Sequence, residues 1–364
     1  MDPTTSDEAR ALREAVRALL ARHSDPRTAA EAPHGYDDKL WSLLCEQIGV
    51  AGLAIPERHG GAGATLAEVC VVLHELGRTL TPSPLLGSAV LAATALQATG
   101  DERVCARLLP AIADGGSVAA LAWSGPDGGL SPEAPAVTAE DSALDGTAHY
   151  VLDGDSADML LVAARTPDGT GLFEVEPGAA GLRRAHTPAL DPTRRLATVT
   201  FRRTPARRVG NGDATAALRL VRDLALVALA AEQTGVAERA LELTVEYTAQ
   251  RRQFGRPIGS FQALKHRMAD AFVELEAARS AVHAALLSAL ADSAELPLDA
   301  AVAAVCCARA AQHVTAEMIQ LHGGIAITWE HDAHLFFKRA HGGAQLFGQP
   351  DRHVAELGAA AGIE

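Results

Sequence analysis

Tyr247-Thr-Ala-Gln-Arg-Arg-Gln-Phe-Gly-Arg-Pro-Ile-Gly-Ser-Phe-Gln-Ala-Leu-Lys-His-Arg-Met268 closes one helical pattern and opens another. Arg251 and Arg252 fall in the last turn of the first pattern, where cations favour the negative end of the helix dipole. Gly255, Pro257 and Gly259 then interrupt the backbone, because glycine and proline are the strongest local breakers of a helix. Ser260 is placed as the N-cap of the second helix. Beyond it Phe261, Leu264, Met268, Phe272 and Leu275 recur every three or four residues, which predicts one apolar face of a long helix. A plain helical hairpin with solvated arginines satisfies the same spacing.

Working outward, the 364 residues suffice for two or three domains. Hydrophobic residues make up 48% of the chain and aromatics 4%, with alanine and leucine abundant, a composition that favours helix around a large core. The formal charge of -13 argues against non-specific nucleic-acid binding. The five cysteines, Cys45, Cys70, Cys105, Cys306 and Cys307, are odd in number and show no C-x-x-C spacing, which fits a reducing, cytoplasmic setting. The acidic, polar start Met-Asp-Pro-Thr-Thr-Ser-Asp-Glu is unlike a signal peptide. Every long apolar run is broken by Arg or Asp, so no membrane span is expected.

Along the chain, a first helix is expected from Ser6 or Asp7 to Arg22, with Leu12, Val16, Leu19 and Leu20 inward, and a short one over Trp41–Gln47. The Gly-rich loop Glu57–Gly63 lacks the Lys-Ser/Thr of a phosphate loop and reads as a turn. Further helices are expected over Leu66–Arg78, Ser83–Thr99 and Asp101–Ala113. At Gly115-Gly116 the texture changes. Val118–Trp123, His149–Leu152, Met159–Ala164, Gly171–Val175 and Ala197–Phe201 read as short strands of a barrel or sandwich. Long helices return over Leu218–Gln250, Phe261–Asp292 and Leu298–Leu321, and a shorter one lies between Gly323-Gly324 and Gly342-Gly343. The expected fold is therefore mainly α with a central β domain: an N-terminal helical domain (1–115), a middle β-barrel (116–208) and a C-terminal four-helix bundle (209–364).

Arg251-x-Gln-Phe-Gly-x-Pro-Ile-x-x-Phe-Gln-x-x-x-His266 resembles the signature of the acyl-CoA dehydrogenase family of flavoenzymes. Trp41-Ser-Leu-Leu-Cys-Glu-Gln-Ile-Gly-Val-Ala-Gly-Leu-Ala-Ile-Pro56, His74-Glu-Leu-Gly-Arg-Thr-Leu80 and Gln320-Leu-His-Gly-Gly-Ile-Ala-Ile-Thr-Trp-Glu-His-Asp332 extend the resemblance over nearly the whole chain. It implies α,β-desaturation of an acyl-CoA substrate with FAD, a homo- or hetero-tetramer with a paralogous subunit, and a flavoprotein as electron acceptor. It also implies that Arg251 reaches across a subunit interface to the FAD pyrophosphate. Phe254 lies beside that arginine, and Gln320, Gly323 and Gly324 match a Q-x-x-G-G segment against the neighbour's FAD. A guanidinium suits bidentate contact with phosphate oxygens, and bare glycine backbone allows close approach.

In the β domain the family's T-E-P-x-x-G-S-D becomes Trp123-Ser-Gly-Pro-Asp-Gly-Gly129, where Ser124 and Pro126 fit and Gly125 replaces the glutamate. W-I-T-N-G becomes Tyr150-Val-Leu-Asp-Gly154, and Leu152 has no hydroxyl for the flavin. Removing the substrate's α-proton calls for a carboxylate of tuned pKa. At one family position, in Y-E-G-T, Phe347 stands where the glutamate would be. At the other, about eight turns before Phe254 on the preceding helix, stands Ala225. No catalytic residue is identified; the carboxylates nearby in sequence are Asp223, Glu232 and Glu330. Three readings stay open: a dehydrogenase with an unrecognised base, a non-catalytic partner subunit that lends FAD contacts across an interface, or another flavin-dependent oxidation on the same fold.

Overall fold

The structure, a computed structural model, describes residues 6–363. The first helices are α1 (Asp7–His23), α2 (Pro26–Glu31), α3 (Asp38–Ile48), α4 (Leu66–Thr79), α5 (Ala93–Ala98) and α6 (Glu102–Ala113). Their starts follow side-chain chemistry. Ser6 Oγ accepts the Ala9 N–H at 3.0 Å. Thr65 and Glu68 form a reciprocal capping box on α4, which satisfies two of the unpaired N–H groups of a helix start. α1 turns Val16, Leu19 and Leu20 into the core. The single helix expected over Ser83–Thr99 divides into a π-helical stretch, Leu85–Ala92, and α5. Ser88, on the π stretch, accepts the Ala119 N–H at 3.0 Å and fixes the helical layer to the first strand.

The strands are β1 (Ala119–Ala122), β2 (Val137–Glu140), β3 (Ala143–Leu152), β4 (Met159–Thr166), β5 (Gly169–Val175), β6 (Leu182–His186), β7 (Leu196–Pro205) and β8 (Arg207–Val209). They form one eight-stranded mixed sheet in the order β6-β7-β3-β2-β4-β5-β8, with β1 parallel to β4. The barrel expected from the sequence is thus drawn as an open path whose end strands each pair on one side. β3 carries a bulge between Ala148 and Val151, and Tyr150 takes a positive φ of 52° there, as bulges re-aim a side chain.

The remaining helices are α7 (Thr215–Gln250), α8 (Gln262–Leu290), α9 (Leu296–His322), α10 (Ala333–Gly343) and α11 (Pro350–Ala360), with a two-residue hairpin of β9 (Arg252–Gln253) and β10 (Arg256–Pro257) between α7 and α8. Three expectations are corrected here. Arg251 is not within the last turn but is the first residue beyond α7, with extended backbone. Ser260 does not cap α8: it lies in a 3-10 turn over Ile258–Ser260, and its hydroxyl donates to the Pro257 carbonyl at 2.7 Å. The apolar face of α8 is not uniformly inward, because Leu275 is buried while Phe272 is exposed. No helix among the described residues is long and apolar enough to cross a membrane.

α4 and α7 cross at two glycines. A Cβ on Gly77 would lie 2.2 Å from the Glu232 carbonyl oxygen, and one on Gly235 would lie 2.0 Å from that of His74. Beside this crossing a buried ion cluster ties the layers together. Arg339 on α10 pairs with Asp191 at 3.0 Å and Glu232 at 2.8 Å, and donates to the carbonyls of Leu80 and Thr193. Arg194 also donates to Glu232.

Candidate functional site

Two clefts collect the residues singled out in the sequence. The first, of about 540 Å³, lies among the end of α7, the β9–β10 hairpin, the start of α8 and the end of α9. It brings Arg251, Phe254, Gln320, Gly323 and Gly324 together. Local backbone explains why. Phe254 and Gly255 turn the hairpin with φ of 52° and 77°, and the Phe254 ring is left 91% exposed. Gly323 ends α9 with φ of 65°, and a Cβ on Gly323 or Gly324 would meet nothing within 4 Å. That stretch of backbone therefore faces open space. The Arg251 side chain is exposed and has no hydrogen-bond or ion-pair partner among the described residues.

Two residues not singled out in the sequence complete this cleft. Tyr247 and His322 stack with ring centroids 4.3 Å apart. His322 donates Nδ1–H to the Met318 carbonyl at 2.8 Å. Burial, outweighing that hydrogen bond and aided by His331, lowers its pKa.

The second cleft, of about 300 Å³, lies between the sheet and the α10–α11 connection; Ser124, Tyr150, Leu196, His341 and Phe347 are among its walls. Ser124 is therefore separated from the other five candidates. Phe347 is buried, takes a φ of 63° and meets Trp123 edge-on at 6.5 Å. The turn after Trp123 is held from α11: Arg352 reaches Asp127 at 3.4 Å and Ser131 at 3.2 Å. Leu152 is buried behind the cleft, against Gly87.

No carboxylate stands where the sequence left the base open. Ala225 is fully buried in the core. Set one residue later, Y-E-G-T would place Gly348 opposite the glutamate, again without an acid. Asp223 is buried and paired with Arg222 at 3.0 Å; burial raises its pKa, against the pull of Arg222. Glu232 belongs to the Arg339 cluster, and Glu330 sits in an exposed turn. None of the three lines either cleft. Asp127 lines the second cleft but is exposed and engaged with Arg352. The titratable group that sequence reasoning missed there is His341, whose Nδ1–H donates to the Phe337 carbonyl at 2.9 Å. In the neutral ring this leaves Nε2 as an acceptor. The signal was weak, since a histidine within a helical pattern carries no motif.

The residues present suit an FAD unevenly. The hairpin cleft offers an unpaired guanidinium, bare glycine backbone and aromatic rings, the chemistry a dinucleotide requires. The second cleft sets apolar side chains such as Leu190, Leu196 and Phe347 beside the hydroxyls of Ser124, Tyr150 and Thr187 and the amides of Gln345 and Gln349, with no cationic side chain among the described residues apart from the His341 imidazole.

Comparison with known proteins agrees with this architecture. Residues 6–116 match the family description "Acyl-CoA dehydrogenase, N-terminal domain", and residues 223–361 match "Acyl-CoA dehydrogenase, C-terminal domain". The acyl-CoA dehydrogenase IpdE2 of Mycobacterium tuberculosis is 44% identical over 97% of both chains. A chain of the Tcur3481-Tcur3483 steroid ACAD superposes with a TM-score of 0.89 at 32% identity over 98% of both chains. A chain of the ChsE4-ChsE5 complex of M. tuberculosis does so at 0.90 with 28% identity over 100% of both. The chain belongs to the acyl-CoA dehydrogenase family, whose members oxidise acyl-CoA thioesters with FAD.

Proposed function

We propose that this chain is the base-deficient subunit of a heteromeric acyl-CoA dehydrogenase, acting in the cytoplasm and passing electrons to a flavoprotein acceptor. The observation that carries this reading is the contrast between the clefts: a cleft fitted to a dinucleotide, beside one that no free carboxylate enters. Two of the similar structures are described as pairs of different chains, which supports the same arrangement.

In this reading Arg251 would hold the pyrophosphate of an FAD shared with the paralogue, and the bare backbone at Gly323 and Gly324 would leave room for it. Phe254 shields that contact from water. When bound, FAD would supply the acceptor for the hydride that leaves the substrate's β-carbon. The α-proton goes to a carboxylate of the paralogue, because Phe347 and Ala225 have no group to take it. A second reading keeps the base on this chain, and His341 favours it: its Nε2 is an acceptor in the wall of the second cleft.

The deciding measurement is anaerobic bleaching of flavin absorbance by short, long and polycyclic acyl-CoAs, with the chain alone and co-purified with a paralogue carrying the glutamate. Bleaching in the complex only is expected. Rapid bleaching by the single chain, abolished by His341→Gln, would transfer the reaction to this chain.

A further inference from the structure

A third cleft, of about 380 Å³, lies where α1, α4, α7 and α8 meet, and it shares no lining residue with the two clefts above. Its floor is apolar: Val71, Ala231 and Leu286 are buried there and Val282 is half-buried. Its rim is cationic on a chain whose formal charge is -13. Arg17 from α1, His74 from α4 and Arg279 from α8 stand around Glu238 from α7. Arg13 adds a further guanidinium, 3.9 Å from Glu75.

The hydrogen bonding of this rim is unbalanced toward donors. A guanidinium carries five N–H donors. Arg17 gives Nε–H and Nη2–H to Glu75, at 2.9 and 2.8 Å, and its side chain stays 51% exposed. Arg279 gives one N–H each to Glu276 and Glu238 and stays 39% exposed. The carboxylates are already occupied. Glu238 receives His74, Arg78 and Arg279. Glu75 receives Arg17 and His74 and lies 3.7 Å from Arg78. An incoming ammonium meets carboxylates that are already engaged by guanidinium and imidazole donors, whereas an incoming anion finds guanidinium donors at the mouth of an apolar hollow.

We propose that this cleft binds an amphipathic monocarboxylate: the carboxylate at Arg17 and Arg279, and an apolar body of about ten carbons over Val71, Val282 and Leu286. The volume is that of a small-molecule site. Carboxylate–guanidinium hydrogen bonds are among the stronger ones available to a ligand. The chemistry selects the free acid over its CoA thioester, because the thioester carbonyl carries no charge. The occupant is thus related to the family's substrate class but held on lining residues separate from those of either cleft above.

Titration calorimetry with decanoate, decanol and decyltrimethylammonium tests this, on the chain alone and on the complex with its paralogue. Decanoate is expected to bind, decanol roughly tenfold more weakly, and decyltrimethylammonium not at all. Arg279→Gln should weaken decanoate roughly tenfold. Val282→Phe, which fills the floor from a half-buried position, should abolish binding while leaving Arg17 and Arg279 in place. The proposal is overturned if decanoate gives no heat at millimolar concentration, if decanol binds equally well, or if Val282→Phe binds decanoate as the wild type does.

Discussion

Arg251 leaves α7 at the first residue whose backbone is extended, and its side chain lines the hairpin cleft. Because its side chain makes no contact that folding depends on, Arg251→Ala should change stability by about 0.5 kcal/mol or less. In the FAD-binding assembly the same substitution should cost about 2 kcal/mol or more of cofactor affinity, the usual loss for a truncated charged pair. Flavin retention after gel filtration, read beside the melting temperature, separates the two effects; undiminished retention would remove Arg251 from the FAD site. The residues gathered around Arg251 were legible because the signature fixes spacing across a turn, and glycine and arginine have few substitutes there. Tyr247, His322 and His341 were not legible, because aromatic residues near helix ends read equally well as core. Ser260 misled for a physical reason: its hydroxyl is taken by the Pro257 carbonyl, so the 3-10 turn, and not a side chain, starts α8.

Among the elements, the α4–α7 crossing sets how closely the N-terminal helices approach the bundle. With prospective Cβ contacts of 2.2 and 2.0 Å to backbone oxygens, no side chain can yield, so the helices themselves must part. Gly235→Ala should therefore destabilise by about 1–3 kcal/mol, the range for overpacking, and denaturant unfolding would show it. An unchanged midpoint would mean that the two helices part at this crossing without cost. The same junction is set by pH. Burial would raise the Glu75 pKa, but hydrogen bonds from His74 and Arg17 outweigh it and hold the carboxyl at about 2, below its ordinary value of 4.5. Burial would lower that of His74, but Glu238 and Glu75 outweigh it and raise it above 6.5. A depressed carboxyl stabilises above its unfolded pKa and loses that as pH falls; a raised imidazole stabilises below its unfolded pKa and loses that as pH rises. The junction is thus strongest between about pH 4.5 and 6.5. Melting temperatures of wild type and Glu75→Gln should differ most inside that window and converge only as pH falls to about 2, where the folded carboxyl takes up its proton, whereas a constant offset would deny the linkage. Long helices were legible in sequence because their apolar period persists. β6 and β8 escaped, since Leu182-Arg-Arg-Ala-His186 and Arg207-Arg-Val209 carry arginines on end strands and show little alternation. α2 escaped because six residues are too short for a period.

At the scale of the whole molecule, several exposed apolar side chains stand on the elements that form the hairpin cleft and on the segment that follows α9. Phe254 on the hairpin, Phe272 and Val273 on α8, and Ile325, Ile327 and Trp329 after α9 are all exposed. Large exposed apolar side chains in such number mark an association surface. The cleft beside them is open where Gly323 and Gly324 face space, so another subunit can supply its missing wall. The assembly expected is a tetramer of two pairs, this chain with its paralogue, each interface burying on the order of 2,000 Å² or more, as obligate contacts do. Phe272→Glu places a charge on that surface without touching the core, so it should dissociate the assembly while the monomer's circular dichroism is preserved. It should also strip flavin, because Arg251 would no longer have an FAD within reach. Light scattering and the visible spectrum of the same fractions measure both. A monodisperse wild-type monomer at micromolar concentration, or a Phe272→Glu tetramer that keeps its flavin, would show that this face does not join the subunits.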